Sequence, residues 1–211
     1  MQTTLEDSKS ELLDRLCDHA KRSAEKHPGG FGDGPSIPTL LREYYRHAAP
    51  EDLLDRNDAD LYGAVMHHLR SGIERPQGTA TVRIFTPTVD SEGWSADGHT
   101  VVEVITDDMP FLVDSMTMAL DQLGHDVHLV LHPQLVVRRD VAGHLQEVLD
   151  DHADLSPHDV ARESWMHLEI DRIPADEITV VHRHLEKVLS DVREAVEDWP
   201  RMHDRVQQIL D

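Results

Sequence analysis

Apolar positions recur every three or four residues through residues 5–26, with Leu12, Leu13, Leu16 and Ala20 on one stripe and charge elsewhere, which predicts an amphipathic helix. HPGGFGDGPSIP, residues 27–38, ends it with four glycines and three prolines and predicts a connector. A phosphate-cradling reading of those glycines fails, because no strand precedes them and no Lys-Ser or Lys-Thr follows. Residues 39–78 predict three helices: one ending near Ala48, a short one opened by Pro50, and a longer one starting at Asp58 with an aspartate as N-cap. Leu61, Ala64, Val65 and Leu69 form the stripe of the last. Tyr44 and Tyr45 are expected to pack it against its neighbour.

From residue 79 the period changes from 3.6 to 2. TATVRIFTP predicts a strand with Ala80, Val82 and Ile84 on one face and Arg83 and Phe85 on the other. A polar, glycine-bearing loop then leads into HTVVEVIT, so the two strands are expected to form a hairpin. After TDDMP comes a helix carrying Leu112, Met116, Leu120 and Leu123, stopped at Gly124. HDVHLVLHPQLVVRRD predicts one long strand, or two broken at Pro133, which cannot donate to a ladder. Residues 140–159 read as a polar stretch with a turn at Ala142-Gly143. SWMHLEIDRI follows as a half-buried strand, with Met166, Leu168 and Ile170 alternating against Trp165, His167 and Glu169. A helix carrying Ile178, Val181, Leu185, Val188, Val192, Val196 and Trp199 comes next, and PRMHDRVQQILD predicts a short terminal helix of its own.

This order predicts an α+β domain of the ferredoxin-like plan, with an antiparallel sheet and both long helices on one face. The plan lacks its last strand, and the strand at 79–87 is expected to take that seat beside HTVVEVIT. Val102, Val104, Val127, Leu129, Leu131 and Met166 are expected beneath the helices. Arg83, Phe85, Glu103, His128, Val130, His132, His167 and Glu169 would share the other face, a mixed surface expected to be an interaction face covered by the N-terminal helices or another domain. The chain thus divides into 1–38, an N-terminal helix and connector; 39–78, a helical segment; and 79–211, the α+β domain ending in helices.

Composition narrows the partners. The 211 residues carry 41 acidic and 20 basic side chains, a net charge of −21, which argues against nucleic acid and anionic membranes because both require a cationic face. Neither a membrane span nor a signal peptide is visible, so a soluble, cytoplasmic chain is expected. The single cysteine, Cys17, excludes a disulfide framework and predicts a small buried residue.

Candidate chemistry is sparse. His125, His128 and His132 invite a metal reading, but strand rise separates 128 from 132 by about 13 Å and turns 125 away. His67 with His68, and His182 with His184, diverge on helices. Asp107 and Asp108 could pair with Ser115 as acid and nucleophile, yet no G-x-S-x-G elbow surrounds Ser115, and no dinucleotide fingerprint is present. The two aspartates read instead as caps for the following helix, with Pro110 in its first turn. No catalytic residue and no metal ligand is assigned; a metal-binding or metal-dependent hydrolytic domain built on the His and Asp clusters is the alternative reading.

VVEVITDDMPFLVDSMTMAL is similar to the first strand, loop and helix of ACT regulatory domains. That resemblance implies a ferredoxin-like fold, often with a bound amino acid, and makes Asp107, Asp108, Met109, Pro110, Phe111 and Leu112 the candidate effector loop. Phe111 stands where ACT loops usually carry glycine, which ranks assembly ahead of ligand sensing. YYRHAAPEDLLDR, DLYGAV, TVVEVITDDMPFLVDSMTMALDQLG, HLVLHPQLVVRRD, ESWMHLEIDR and VLSDVREAVEDW, in that order over residues 39–202, resemble the N-terminal region of the large bacterial NAD-specific glutamate dehydrogenases. The resemblance implies a non-catalytic regulatory or assembly segment whose parent uses NAD to convert glutamate to 2-oxoglutarate and ammonia. It implies no cofactor within this segment, with the partners being other domains and subunits of a homo-oligomer and an amino-acid effector.

Overall fold

The computed structural model describes residues 4–26 and 34–210, and the side chains of these except 24–26 and 200–210. Residues 27–33 of the predicted connector lie outside the described residues. Four helices come first: α1 (Leu5–Lys26), α2 (Ile37–Tyr44), α3 (Pro50–Leu54) and α4 (Asp58–Gly72). Ser36 caps α2 by accepting from the Thr39 N–H. Pro50 opens α3 as expected, but Asn57 rather than an aspartate caps α4, its side chain accepting from the Ala59 N–H.

The remainder is α+β: β1 (Thr81–Phe85), α5 (Val89–Glu92), β2 (Thr100–Asp107), α6 (Leu112–Gln122), β3 (Val127–Leu131), β4 (Gln134–Arg139), β5 (Leu145–Leu149), β6 (Val160–Ile170) and α7 (Ala175–Leu210). The sheet runs β1-β2-β6-β4-β5, with β3 also on β6. One edge of β6 takes β2 over Glu163–Ile170, and the other takes β4 near its start and β3 near its end. The order β1-β2-β6-β3 is the ferredoxin-like one, and β1 fills the missing seat, antiparallel to β2, with Arg83 opposite Glu103. Pro133 does break the strand. Its carbonyl still accepts from the Trp165 N–H at 2.9 Å, so only its missing donor interrupts the ladder.

Both faces of the sheet are buried. On one lie α6 and α7, whose Leu112, Met116, Leu120, Val181, Leu185 and Leu189 pack on Val82, Ile84, Val102, Val104, Met166, Leu168 and Ile170. On the other, α1–α4 share a second core with Ile105, Leu129, Leu131, Leu135, Val137 and Trp165. Residues 165–170 are therefore fully buried, not half-buried. Burying Leu12, Leu16, Leu40, Leu41 and Leu69 in that second core supplies about 1.5–3 kcal/mol per side chain.

Four further expectations are corrected. Leu129 and Leu131 face α1–α4 while Val130 packs toward α6 and α7, because the register slips between Val127 and Leu129 and reverses the alternation. The polar stretch after Arg139 contains β5, hidden because the pairing with β4 slips at Arg138/Arg139 and leaves Leu145 and Val148 buried three residues apart. The loop after β1 holds α5, capped reciprocally by Thr88 and Ser91, and buries Trp94. The last helix is continuous through Pro200 rather than two, and Trp199 on it is 66% exposed. Among the described residues, no helix is long and apolar enough to cross a membrane.

Candidate functional site

The elbow between β2 and α6 is built differently from a capped helix start. Asp107 and Asp108 do not cap α6. The N-cap is Phe111, which has no side-chain cap bond, and Pro110 precedes the helix in a turn. Asp107 instead accepts from Arg75 Nη2 at 2.8 Å, from Arg193 Nη1 of α7 at 3.0 Å and from the Gly78 N–H at 3.1 Å. Asp108 accepts from Gln134 Nε2 at 2.9 and 3.0 Å. Two arginines outcompete a helix terminus because a full cationic charge exceeds the half charge of a macrodipole. Burial pushes the Asp107 carboxyl up, but the Arg75 and Arg193 pairings outweigh it and leave it below the usual range.

The rest of the elbow divides between core and surface. Leu112 is buried, Met109 packs partly on the same core, and Pro110 is exposed. Phe111 has φ 71° and is 67% exposed. A side chain in that left-handed region costs about 1–2 kcal/mol, a cost that glycine would avoid.

Arg75 leads from the elbow into a buried charge network. It follows α4 and is 1% exposed, donating to Glu163 from Nε at 3.1 Å and Nη2 at 2.5 Å, and to the Thr79 carbonyl at 2.7 Å. Glu163 also accepts from Arg139 Nε at 2.6 Å and Nη2 at 2.8 Å, and from Trp165 Nε1 at 2.9 Å. Arg139 Nη1 reaches the Gly72 and Gly143 carbonyls. The network thus ties α4, β2, β4, β6 and α7 together. Beside it opens a cavity of about 760 Å³, walled by Arg75, Pro76, Arg139, Gly143, His158 and Glu163. Every carboxylate and guanidinium of the network named here already has a hydrogen-bond partner, although its three arginines outnumber its two carboxylates by one.

The predicted interaction face is mostly interior. Glu103, on β2, lies 2.9 Å from His67 Nδ1 and accepts from Ser71 Oγ at 3.0 Å, both on α4. Glu169, on β6, accepts from Arg56 Nη1 and Nη2 at 2.6 and 2.8 Å and lies 3.3 Å from His167 Nε2. Burial pushes the Glu169 carboxyl up, yet His167 and Arg56 outweigh it and bring it down to about 2. His68 pairs its Nδ1 with the Tyr44 hydroxyl at 2.8 Å, and burial lowers it to about 4. Phe85 lies against His67, with ring centroids 4.1 Å apart. Four positions stand apart from that layer: Val130 packs toward α6 and α7, Arg83 is exposed, His128 is exposed and pairs with Asp171 at 2.8 Å, and half-buried His132 lies 2.6 Å from Ser164 Oγ.

Sequence reasoning brought Glu103, His167 and Glu169 together but missed their partners Arg56 and His67, and the whole of Arg75, Arg139, Glu163 and Arg193. The signal was the run Glu163, Trp165, His167, Glu169 on one face of a strand, where ionisable residues beside a tryptophan mark an interior face that needs partners. Among the described residues, no group of three His, Cys, Asp or Glu could hold a metal ion.

The family model described as the ACT1 domain of glutamate dehydrogenase matches residues 40–185, from within α2 into α7. The NAD-specific glutamate dehydrogenase of Pseudomonas aeruginosa is 32% identical over 177 residues, covering 83% of this chain and 11% of that protein. That of Halomonas elongata is 32% identical over 212 residues, covering 98% of this chain and 12% of that protein. The protein of the same name from Mycobacterium tuberculosis is 29% identical over 132 residues, 62% of this chain and 8% of that protein. The chain therefore spans about a ninth to an eighth of the first two relatives' lengths. No solved structure matches it. A ferredoxin-like sheet with the Asp-x-Pro elbow between β2 and α6, matched over most of its length, places this chain in the family of glutamate dehydrogenase ACT1 domains.

Proposed function

We propose that this chain is the assembly segment of a large, cytoplasmic NAD-specific glutamate dehydrogenase that oxidises glutamate to 2-oxoglutarate and ammonia through residues outside these 211. One observation carries the preference for assembly over amino-acid sensing. The elbow's carboxylates are committed to Arg75, Arg193 and Gln134, and exposed Phe111 occupies its glycine position. A sensing loop needs backbone that a ligand can approach, whereas this elbow is pinned to the interior on one side and offers an aromatic ring on the other.

The segment's role in the parent is then to hold other domains or subunits in a homo-oligomer. Calorimetry of the chain with a panel of amino acids at millimolar concentration separates the two roles. The assembly role predicts no heat of binding, and a saturable heat removed by Phe111→Ala would transfer the function to sensing.

A further inference from the structure

Beside Phe111, α6 and α7 enclose an open groove of about 360 Å³ on the face turned away from the sheet. Two stripes line it, Ser115, Met118, Ala119 and Gln122 on α6 and Val188, Asp191, Val192 and Ala195 on α7. Each stripe has the i, i+3, i+4, i+7 spacing of a helix contact face, so two such stripes side by side form the seat of a third helix. Phe111 and Met118, 67% and 58% exposed, stand at this groove with apolar surface turned to solvent.

The charges around the groove select the occupant. Residues 112–122 include Asp114 and Asp121 and no Lys, Arg or His. Asp114, Asp121 and Glu194 each precede a stripe position by one residue, a rotation of about 100° that places them on the flank away from the core. Lys187 likewise precedes Val188 by one residue and puts a cation on the same flank, but it is paired at 2.7 Å with Asp191, which lies in the groove itself. Arg193, the other cation of this stretch, turns inward to Asp107 and Thr106. A second copy of this chain would bring a net charge of −21 and the same acidic flanks to the contact.

We infer that the α6–α7 groove docks an amphipathic helix whose apolar stripe is flanked by lysines or arginines, supplied by another part of the parent enzyme. This deepens the assembly reading and rests on it for the source of the helix. The left-handed Phe111 then has a use, as an apolar contact at the groove that glycine could not provide.

The test uses the whole chain and a designed helical peptide with leucines at i, i+3, i+4, i+7 spacing and lysines elsewhere, read by fluorescence anisotropy. A scrambled copy and a copy with glutamate in place of lysine serve as comparisons. The groove predicts saturable binding of the lysine peptide alone, weakened at least about tenfold by Met118→Glu and by Phe111→Gly, about 1.4 kcal/mol or more. Both positions are exposed, and circular dichroism confirms that each variant is folded. Equal binding of the scrambled peptide, or full binding to both variants, would overturn the inference. So would sedimentation showing a dimer of this chain that Met118→Glu dissolves, since the occupant would then be a second copy. Peptide binding reads the groove alone and oligomer mass reads the assembly role, so either can fail without the other.

Discussion

Arg139 meets Glu163 through two parallel contacts, Nε to Oε1 at 2.6 Å and Nη2 to Oε2 at 2.8 Å, in the interior between β4 and β6. Arg75 binds the same carboxylate from the end of α4, so one anion holds two cations and joins the helical layer to the sheet. Burial pushes the Glu163 carboxyl up, but Arg139 and Arg75 outweigh it and keep it below the ordinary range. Removing one member leaves an uncompensated buried charge, which makes such networks sensitive to single substitutions.

Glu163→Gln should therefore destabilise the chain by about 3–5 kcal/mol, read as a lower urea midpoint. Arg138→Gln removes the surface pairs with Glu147 and Asp159 and should cost less than about 1 kcal/mol. Equal losses at the two positions would contradict the interior role of Glu163.

Stability should fall as pH is lowered. His68 is held at about 4 against 6.5 for a free imidazole, so the unfolded chain takes up a proton that the folded chain refuses. That difference is absent above pH 6.5 and grows to a loss on the order of 3 kcal/mol by pH 4. Half-buried His132, lowered by burial, acts in the same direction. Glu169, at about 2 against 4.5, stabilises the fold above pH 4.5 and loses that contribution as pH falls toward 2. Urea midpoints should drop between pH 6.5 and 4.5, and His68→Gln should flatten that drop. An unchanged slope in the variant would remove His68 from the account.

Gly72→Ala should destabilise by about 1–3 kcal/mol, because a Cβ there would stand 2.3 Å from Trp165 Cη2 and 2.9 Å from Ile105 Cδ1. Gly63→Ala meets Trp94 Cβ at 2.5 Å and should behave alike. Helix α4 lies against both tryptophans only because these two positions lack side chains. Thermal melts at or above the unsubstituted chain would show that α4 can shift freely.

Phe111→Gly should raise stability by up to about 1 kcal/mol. Glycine relieves the left-handed strain, partly offset by its greater freedom in the unfolded chain. The same variant is expected to weaken peptide docking, so stability and binding should move in opposite directions. A loss of more than about 1 kcal/mol would show that the ring supports the fold itself.

Much of this architecture was legible because periodicity reports burial directly. The β1–β2 hairpin and the face of α7 bearing Val181 and Leu185 follow from spacing, and the break at Pro133, one of two alternatives there, follows from the donor that proline lacks. Register slips defeated the same reasoning at β3 and β5, since a bulge inverts alternation without leaving a mark in composition. The site was half legible for a related reason. Glu103, His167 and Glu169 declared themselves by lying on a strand face, but Arg75 and Arg139 are distant in sequence from Glu163, and only the fold brings them to it. The aspartates of the elbow were misjudged because helix-end physics is local, and Arg75 and Arg193 arrive from elsewhere.

The proposed role of this segment is to hold the parent dehydrogenase together without taking part in its chemistry. Mass photometry of the full-length enzyme with and without residues 1–211, alongside its rate of glutamate-dependent NAD reduction, tests both halves at once. An assembly role predicts a smaller oligomer after deletion, with reduction of NAD retained per subunit. An unchanged oligomer with unchanged kinetics and effector response would contradict it.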